Sequence, residues 1–435
     1  MKKNSSKIMK FTVIALVLAV ACLLQVACSG LAAGVPSGRD SVGGGGTSRL
    51  TDKSEGAPEG YADEIGDIMS GDGGSGEVGG GEVPPETNFQ SGTLTAGEWS
   101  DLLHWDFWSK HLLKNEIYAL AEGWKMIARD RICVSVLNGE QAVRNVKVEL
   151  ADEQGNTIWT SVTDHAGRAY LFYNLDGKTT QEKEGLSILV DGQKQEWDGS
   201  DSLTVQTEFS SPELELDLLL MIDTTGSMGD ELIYIQTELK SVLERINREL
   251  GVSLKISVNF YRDDGDEYVV RSYDFTTVET ALNQLAIEVA DGGGDYPEAV
   301  HKALEDVVSN HSWRQDSVKV VYFVLDAPAH QDKRGVCESM LASLKAASET
   351  GIRIIPISAS GVDSSTEIML RTFAILTGGT YTFLTDDSGY GDSHLEPSVG
   401  DYEVEKLNNM MVRLVLEYCG KAPAAQAQQG QEQDQ

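Results

Sequence analysis

The chain has 435 residues, of which 35 are Lys or Arg and 68 are Asp or Glu, giving a formal net charge of −33 at pH 7. That length accommodates two or three domains. So acidic a surface repels a phosphate backbone, which excludes a nucleic-acid partner from the expected functions and suits an exported protein that gathers cations.

Lys2, Lys3, Lys7 and Lys10 precede an apolar stretch from Phe11 to Leu24, which ends in Gln25-Val26-Ala27-Cys28. A basic start, an apolar core and a small residue before a cysteine resemble a bacterial lipoprotein signal, whose cysteine is lipidated after cleavage. Residues 1–28 are therefore expected to be a signal and Cys28 the lipidated residue. Gln25 departs from the usual aliphatic residue, and Cys22, after Ala19-Val20-Ala21, is a second candidate. An ordinary cleaved signal and an uncleaved anchor are the alternatives. All of these place the remaining chain outside the cytoplasm, either lipid-anchored on the extracytoplasmic face of the cell membrane or secreted.

Residues 29–92 contain the glycine runs Gly43–Gly46 and Gly79–Gly81, scattered acids and few aliphatics. Such a segment cannot bury enough apolar surface to offset its conformational entropy, so a disordered acidic linker is expected. The Ala/Gln-rich residues 421–435 are expected to be a disordered tail.

Residues 93–130 form an aromatic-rich segment expected to be helical. Trp105 and Trp108 share a helical face with Leu102 and Leu112, which suggests an aromatic clamp onto a neighbouring domain. Over 131–210 the signal becomes period two: Ile132, Val134 and Val136 alternate, as do Val146, Val148 and Leu150, with turns at Asn138-Gly139 and Asp164-His165-Ala166-Gly167. Short, regularly spaced strands imply a small all-β sandwich. The run Thr163-Asp164-His165-Ala166-Gly167-Arg168-Ala169 resembles the strand–turn–strand of carboxypeptidase-regulatory-like, transthyretin-like domains, which usually serve as spacers or supports.

Over 211–420 strands alternate with helices. Leu218-Leu219-Leu220-Met221-Ile222 is a continuous apolar run, as a strand covered on both faces requires. Further strands are expected at Ser253–Tyr261, Tyr268–Phe275, Lys319–Asp326, Ile352–Ser358 and Thr380–Leu384, between helices near 229–250, 278–289, 297–308, 338–349, 365–376 and 404–418. Repeated β–α units imply an α/β fold with a doubly wound, mostly parallel sheet, whose ligands bind beyond the carboxyl ends of the strands.

Oxygen-bearing residues fall at those ends. Asp223, Thr225 and Ser227 stand at alternate positions of one strand-to-helix loop, where three oxygens can converge on a hard cation. Asp223-Thr224-Thr225-Gly226-Ser227 resembles the "D-x-S/T-G-S" signature of von Willebrand factor A domains, with its metal-ion-dependent adhesion site. Gly292-Gly293-Gly294-Asp295-Tyr296-Pro297-Glu298-Ala299 resembles the glycine-rich loop of bacterial members. Val320–Leu325 followed by Asp326 resembles the strand whose terminal Asp helps hold the metal. The resemblance implies a divalent cation, Mg²⁺ foremost with Mn²⁺ and Ca²⁺ as alternatives, held by Thr225 and Ser227 with Asp223 and Asp326 beside it. The family often places a Thr in the second loop; here Asp295 takes that place. It further implies an open metal position that accepts a carboxylate from a protein ligand.

Asp263-Asp264-Gly265-Asp266-Glu267 lacks the spacing of a calcium loop and is expected to be a solvated hairpin turn. His330 and His394 are expected on the partner-contacting rim. Beyond the signal, only Cys133, Cys337 and Cys419 remain; Cys337 and Cys419 could pair, but all three are treated as small apolar residues. No zinc spacing, phosphate loop or nucleophile elbow occurs. The expected function is that of a cell-surface lipoprotein binding a protein partner through the cation, without enzymatic activity. A structural subunit of an envelope assembly and a metal-dependent hydrolase are the alternatives.

Overall fold

The computed structural model describes residues 92–389 and 393–421. The expected signal, Cys28, nearly all of the linker and the tail beyond Lys421 lie outside them. Among the described residues, no helix is long and apolar enough to cross a membrane.

An eight-stranded sheet forms the frame. Its central strands β10 (Glu215–Asp223), β11 (Ser253–Tyr261), β13 (Val318–Leu325), β14 (Ile352–Ser358) and β15 (Tyr381–Thr385) run parallel in the order β11-β10-β13-β14-β15, with the short antiparallel strand β12 (Val270–Arg271) on the β11 edge. Alternate residues of β10 feed two cores. Leu218, Leu220 and Ile222 join the core covered by helices α3 (Gly229–Leu250), α4 (Val278–Ala286) and α8 (Leu407–Tyr418). Leu219 and Met221 join the one covered by α5 (Val300–Ser309), α6 (Val336–Thr350) and α7 (Ser364–Thr377). This two-sided burial is why the run is continuously apolar. The expected α/β doubly wound architecture is thus the observed one.

Two differences have local causes. The expected strand 268–275 shrinks to Val270–Arg271. Polar anchors divert its remaining residues: Tyr268 Oη donates to Glu288 Oε1 at 2.5 Å and Ser272 Oγ to Asp306 Oδ2 at 3.0 Å. The segment 93–130 opens with a strand, β1 (Thr95–Trp99), before the short helices α1 (Trp105–His111) and α2 (Asn115–Gly123). β1 pairs antiparallel with β15 and with β16 (Glu405–Lys406), completing the large sheet. Gly97 permits this close pairing, because a Cβ there would lie 2.5 Å from the Phe383 ring.

Between β1 and β10 the chain builds two four-stranded sheets. One comprises β2 (Asp130–Asn138), β3 (Gln141–Ala142), β6 (Arg168–Tyr173) and β9 (Ser202–Gln206); the other comprises β4 (Lys147–Ala151), β5 (Thr157–Val162), β7 (Ser187–Val190) and β8 (Gln193–Lys194). Val134, Val136, Val148, Leu150 and Trp159 share the core that lies under α6 and α7. Trp159 Nε1 donates to Ser348 Oγ on α6 at 3.1 Å, and Ser348 Oγ donates to the Thr160 carbonyl at 2.9 Å. The aromatic segment contributes to the same contact. Trp108 is fully buried, donates to the Ala128 carbonyl at 2.7 Å and has the Arg371 guanidinium of α7 over its ring, while Trp105 lies under Arg131 of β2. Cys133, Cys337 and Cys419 are all buried free thiols, and Cys337 and Cys419 sit in different cores.

Candidate metal centre

β10 and β13 are parallel neighbours with Ile222 opposite Val324, so their carboxyl ends bring Asp223 and Asp326 to one edge. After β10 the chain turns through a 3₁₀ turn, Gly226–Met228, into α3. Asp223 Oδ1 accepts from the Thr225 N–H at 2.9 Å and from Thr225 Oγ1 at 2.7 Å; Thr225 Oγ1 and Ser227 Oγ are 3.3 Å apart. The glycine loop is laid against this turn by backbone bonds, Gly226 N to Gly292 O at 3.1 Å and Asp291 N to Thr224 O at 3.0 Å. Its residues 292–294 all have positive φ. A Cβ on Gly292 would lie 2.5 Å from the Asp266 carboxyl carbon, so glycine is required there both for conformation and for space.

These loops enclose a cavity of about 400 Å³ lined by Thr225, Ser227, Asp295, Tyr296, Glu298 and Asp326 among others. Four of the five expected ligands line it, and the fifth, Asp223, is fully buried and bonded to Thr225 beneath. Asp295 is exposed, and its carboxylate gathers with Asp263 and His330, ligand atoms within 4.8 Å of one another.

The electrostatics of the site are those of crowded carboxylates. Burial, then repulsion from Asp326, pushes Asp223 up to about 7, against the hydrogen bonds from Thr225. Glu298 is pushed up to about 9 by burial and then by the charges of Asp223, Asp263, Asp326 and Asp266. Glu298 Oε2 is buried and makes no hydrogen bond, while Asp223, beyond its bonds from Thr225, has the buried Tyr261 hydroxyl beside it. A buried acceptor without a donor is costly, and crowded carboxylates around a cavity lined by oxygens fit a hard cation. The donor set therefore suits the divalent ion that the sequence led us to expect.

Residues 217–373 match the family described as the von Willebrand factor A domain. The chain carries a von Willebrand factor A domain. Two curated proteins align with parts of it. The alpha-protein kinase vwkA of Dictyostelium discoideum is 26% identical over 159 residues, which is 36% of this chain and 25% of that protein. The putative ariadne-like RING finger protein R811 of Acanthamoeba polyphaga mimivirus is 31% identical over 119 residues, 26% of this chain and 11% of that protein. The chain thus spans a quarter or less of these relatives. A similar solved structure is the conserved hypothetical protein BatB of Bacteroides thetaiotaomicron, at 12% identity and a TM-score of 0.34, covering 47% of this chain and all of that one.

Three expectations about residues around the site are corrected. His330 is not a rim residue: it is 2% exposed, and its Nε2 is 2.7 Å from Asp263 Oδ1. The His394 side chain is 4% exposed, bonded through Nδ1 to Asp386 Oδ1 at 2.8 Å, and does not line the cavity. Nor is 263–267 simply a solvated turn. Asp263 is buried against His330, and Asp266 accepts from the N–H of Gly293 at 2.9 Å, holding the glycine loop in place. Sequence reasoning also missed Glu298, although it stands three residues after Asp295 in the glycine-rich motif. Tyr261 was missed as well; its buried hydroxyl is held well above its ordinary value by burial and by Asp223.

Proposed function

We propose that the A domain holds a divalent cation, Mg²⁺ foremost, and through it binds a protein partner that offers a carboxylate. The observation that carries this reading is the crowding of Asp223, Glu298 and Asp326, with Glu298 Oε2 buried and making no hydrogen bond, around a cavity rimmed by hydroxyls. Thr225, Ser227, Asp223 and Asp326 would hold the ion, with Asp295 at its edge. When bound, the cation supplies an open coordination position that attracts a carboxylate. The chain's own residues do the rest: Thr225 fixes Asp223, the glycine loop shapes the wall, and Asp266 and Tyr296 hold that loop. Tyr296 Oη donates to the Gly361 carbonyl at 3.0 Å.

Binding is favoured over metal-assisted hydrolysis because His330, which gathers with Asp295 and would be the candidate base, is buried with Nε2 engaged by Asp263. The two-sheet module, similar in its turn motif to carboxypeptidase-regulatory-like domains, acts in this reading as a rigid support. Together with lipidation of Cys28, it would present the cation site on the outer side of a membrane. A subunit role in an envelope assembly uses the same site with a partner from the same cell.

Calorimetric titration of Mg²⁺ and Mn²⁺ into the protein and into Asp223→Ala and Ser227→Ala tests the metal step. Saturable binding that both substitutions abolish supports it; a parent protein that binds neither ion overturns it. Crosslinked pull-down with and without chelator then separates a foreign partner from an envelope subunit.

A further inference from the structure

At the opposite end of the sheet, where the two-sheet module meets the A domain, three cationic side chains converge on a cavity of about 30 Å³. Arg144 comes from the module, Lys319 from the start of β13 and Arg353 from the start of β14; all three are buried. Their donors are met by backbone carbonyls. Arg144 bonds the carbonyls of Asp316 (3.2 Å) and Pro212. Lys319 bonds those of Gln315 (2.9 Å) and Ser317 (3.2 Å). Arg353 bonds those of Thr377 (2.9 Å) and Val162.

Carbonyl dipoles satisfy N–H groups without neutralising charge. Among the described residues, none of the three cations forms an ion pair with a carboxylate, in a chain with almost twice as many acids as bases. Asp164, the one carboxylate in the lining, already accepts from the N–H groups of Ala166 and Arg168 at 2.9 and 2.8 Å. Two further acids act from outside the lining: Asp217, whose charge reaches Lys319, is paired with Arg314 at 2.6 Å, and Asp316, whose charge reaches Lys319 and Arg144, accepts from Asn145 Nδ2 at 3.0 Å. His165 also lines the cavity, with its buried Nδ1 making no hydrogen bond.

We infer that this cavity is a binding site for a small monovalent anion of the halide class, shared by Arg144, Lys319 and Arg353. Buried like charges are tolerated when a counter-ion compensates them. The volume admits something the size of one or two waters, which excludes phosphate or a carboxylate ligand with a carbon skeleton. A water would fit but adds no negative charge to three cations that make no ion pair of their own. Burial brings the Lys319 ammonium down to about 8, against the charges of Asp217 and Asp316 and with repulsion from Arg353 and Arg144. Because its ligands come from both parts of the chain, the ion would latch the module to the A domain.

The test compares thermal unfolding of the whole protein in sodium chloride and in sodium gluconate at equal ionic strength, with bromide-soaked crystals measured at the bromine edge. A chloride-specific rise in Tm of about 2–4 °C is expected at about 100 mM salt. It should be lost in Lys319→Met and kept in Asp223→Ala, together with an anomalous peak between the three cations in the parent protein. Equal melting in both salts and no anomalous peak would overturn the site and leave it to water. Should Lys319→Met fail to fold, the bromide measurement on the parent protein decides alone.

Discussion

Asp101 and Arg371, 270 positions apart, form a two-armed ion pair in which Nε donates to Oδ2 at 2.9 Å and Nη2 to Oδ1 at 2.7 Å, with both side chains buried. The arginine also donates to the Ser398 carbonyl at 2.9 Å and stacks over Trp108. The turn after β1 is thereby tied to α7, whose first residues lie beside the candidate metal centre.

Arg371 also pairs with the buried Glu367 at 3.2 Å, so losing Asp101 leaves the guanidinium one buried carboxylate short. Asp101→Ala is expected to lower stability by about 3–5 kcal/mol in chemical denaturation. Replacing Asp101 and Arg371 with apolar residues and Glu367 with Gln should cost markedly less than the single substitution. Equal losses for the two proteins would contradict the ion-pair account.

Metal-free stability should fall as pH rises. Asp223 and Glu298 have folded-state values raised above the ordinary 3.8 and 4.5, to about 7 and about 9. An acid with a raised value is protonated more readily in the folded state, so its stability contribution is complete below pH 4 and is lost as pH climbs through 7 and 9. In chelator, Tm should decline from pH 5 to pH 9, and Mg²⁺ should recover more of it at the alkaline end. A metal effect that is largest at pH 5 would refute this assignment.

Glu298→Gln separates the carboxylate's two consequences. The amide keeps the shape and removes the repulsion with Asp223, Asp263 and Asp326. In chelator the variant should therefore be more stable than the parent protein by about 1–3 kcal/mol at pH 8. Its affinity for Mg²⁺ should fall, since one anionic oxygen has gone. Calorimetry and melting on the same samples read both signs.

Gly292→Ala places a methyl group where Asp266 stands and forces alanine to a φ of 80°. A loss of about 1–3 kcal/mol is expected, with the cation affinity reduced and the circular dichroism spectrum unchanged. Unaltered metal binding would show that the glycine loop does not shape the site.

The sequence by itself determined the α/β alternation, the two-sided burial of β10 and the strand-end placement of Asp223, Thr225, Ser227 and Asp326. Each follows from short-range periodicity and from the rule that strand ends carry the ligands. Only the tertiary structure decided that β1 belongs to the large sheet, because its five residues acquire partners in β15 and β16 roughly three hundred positions later. It also decided which acids are buried together. Glu298 and Asp263 read in sequence as ordinary loop residues, and His330 as a histidine on the partner-contacting rim. They become part of the site because the glycine loop, the 263–267 turn and the loop after β13 fold onto one sheet edge, and repulsion and desolvation depend on distance through space, not along the chain.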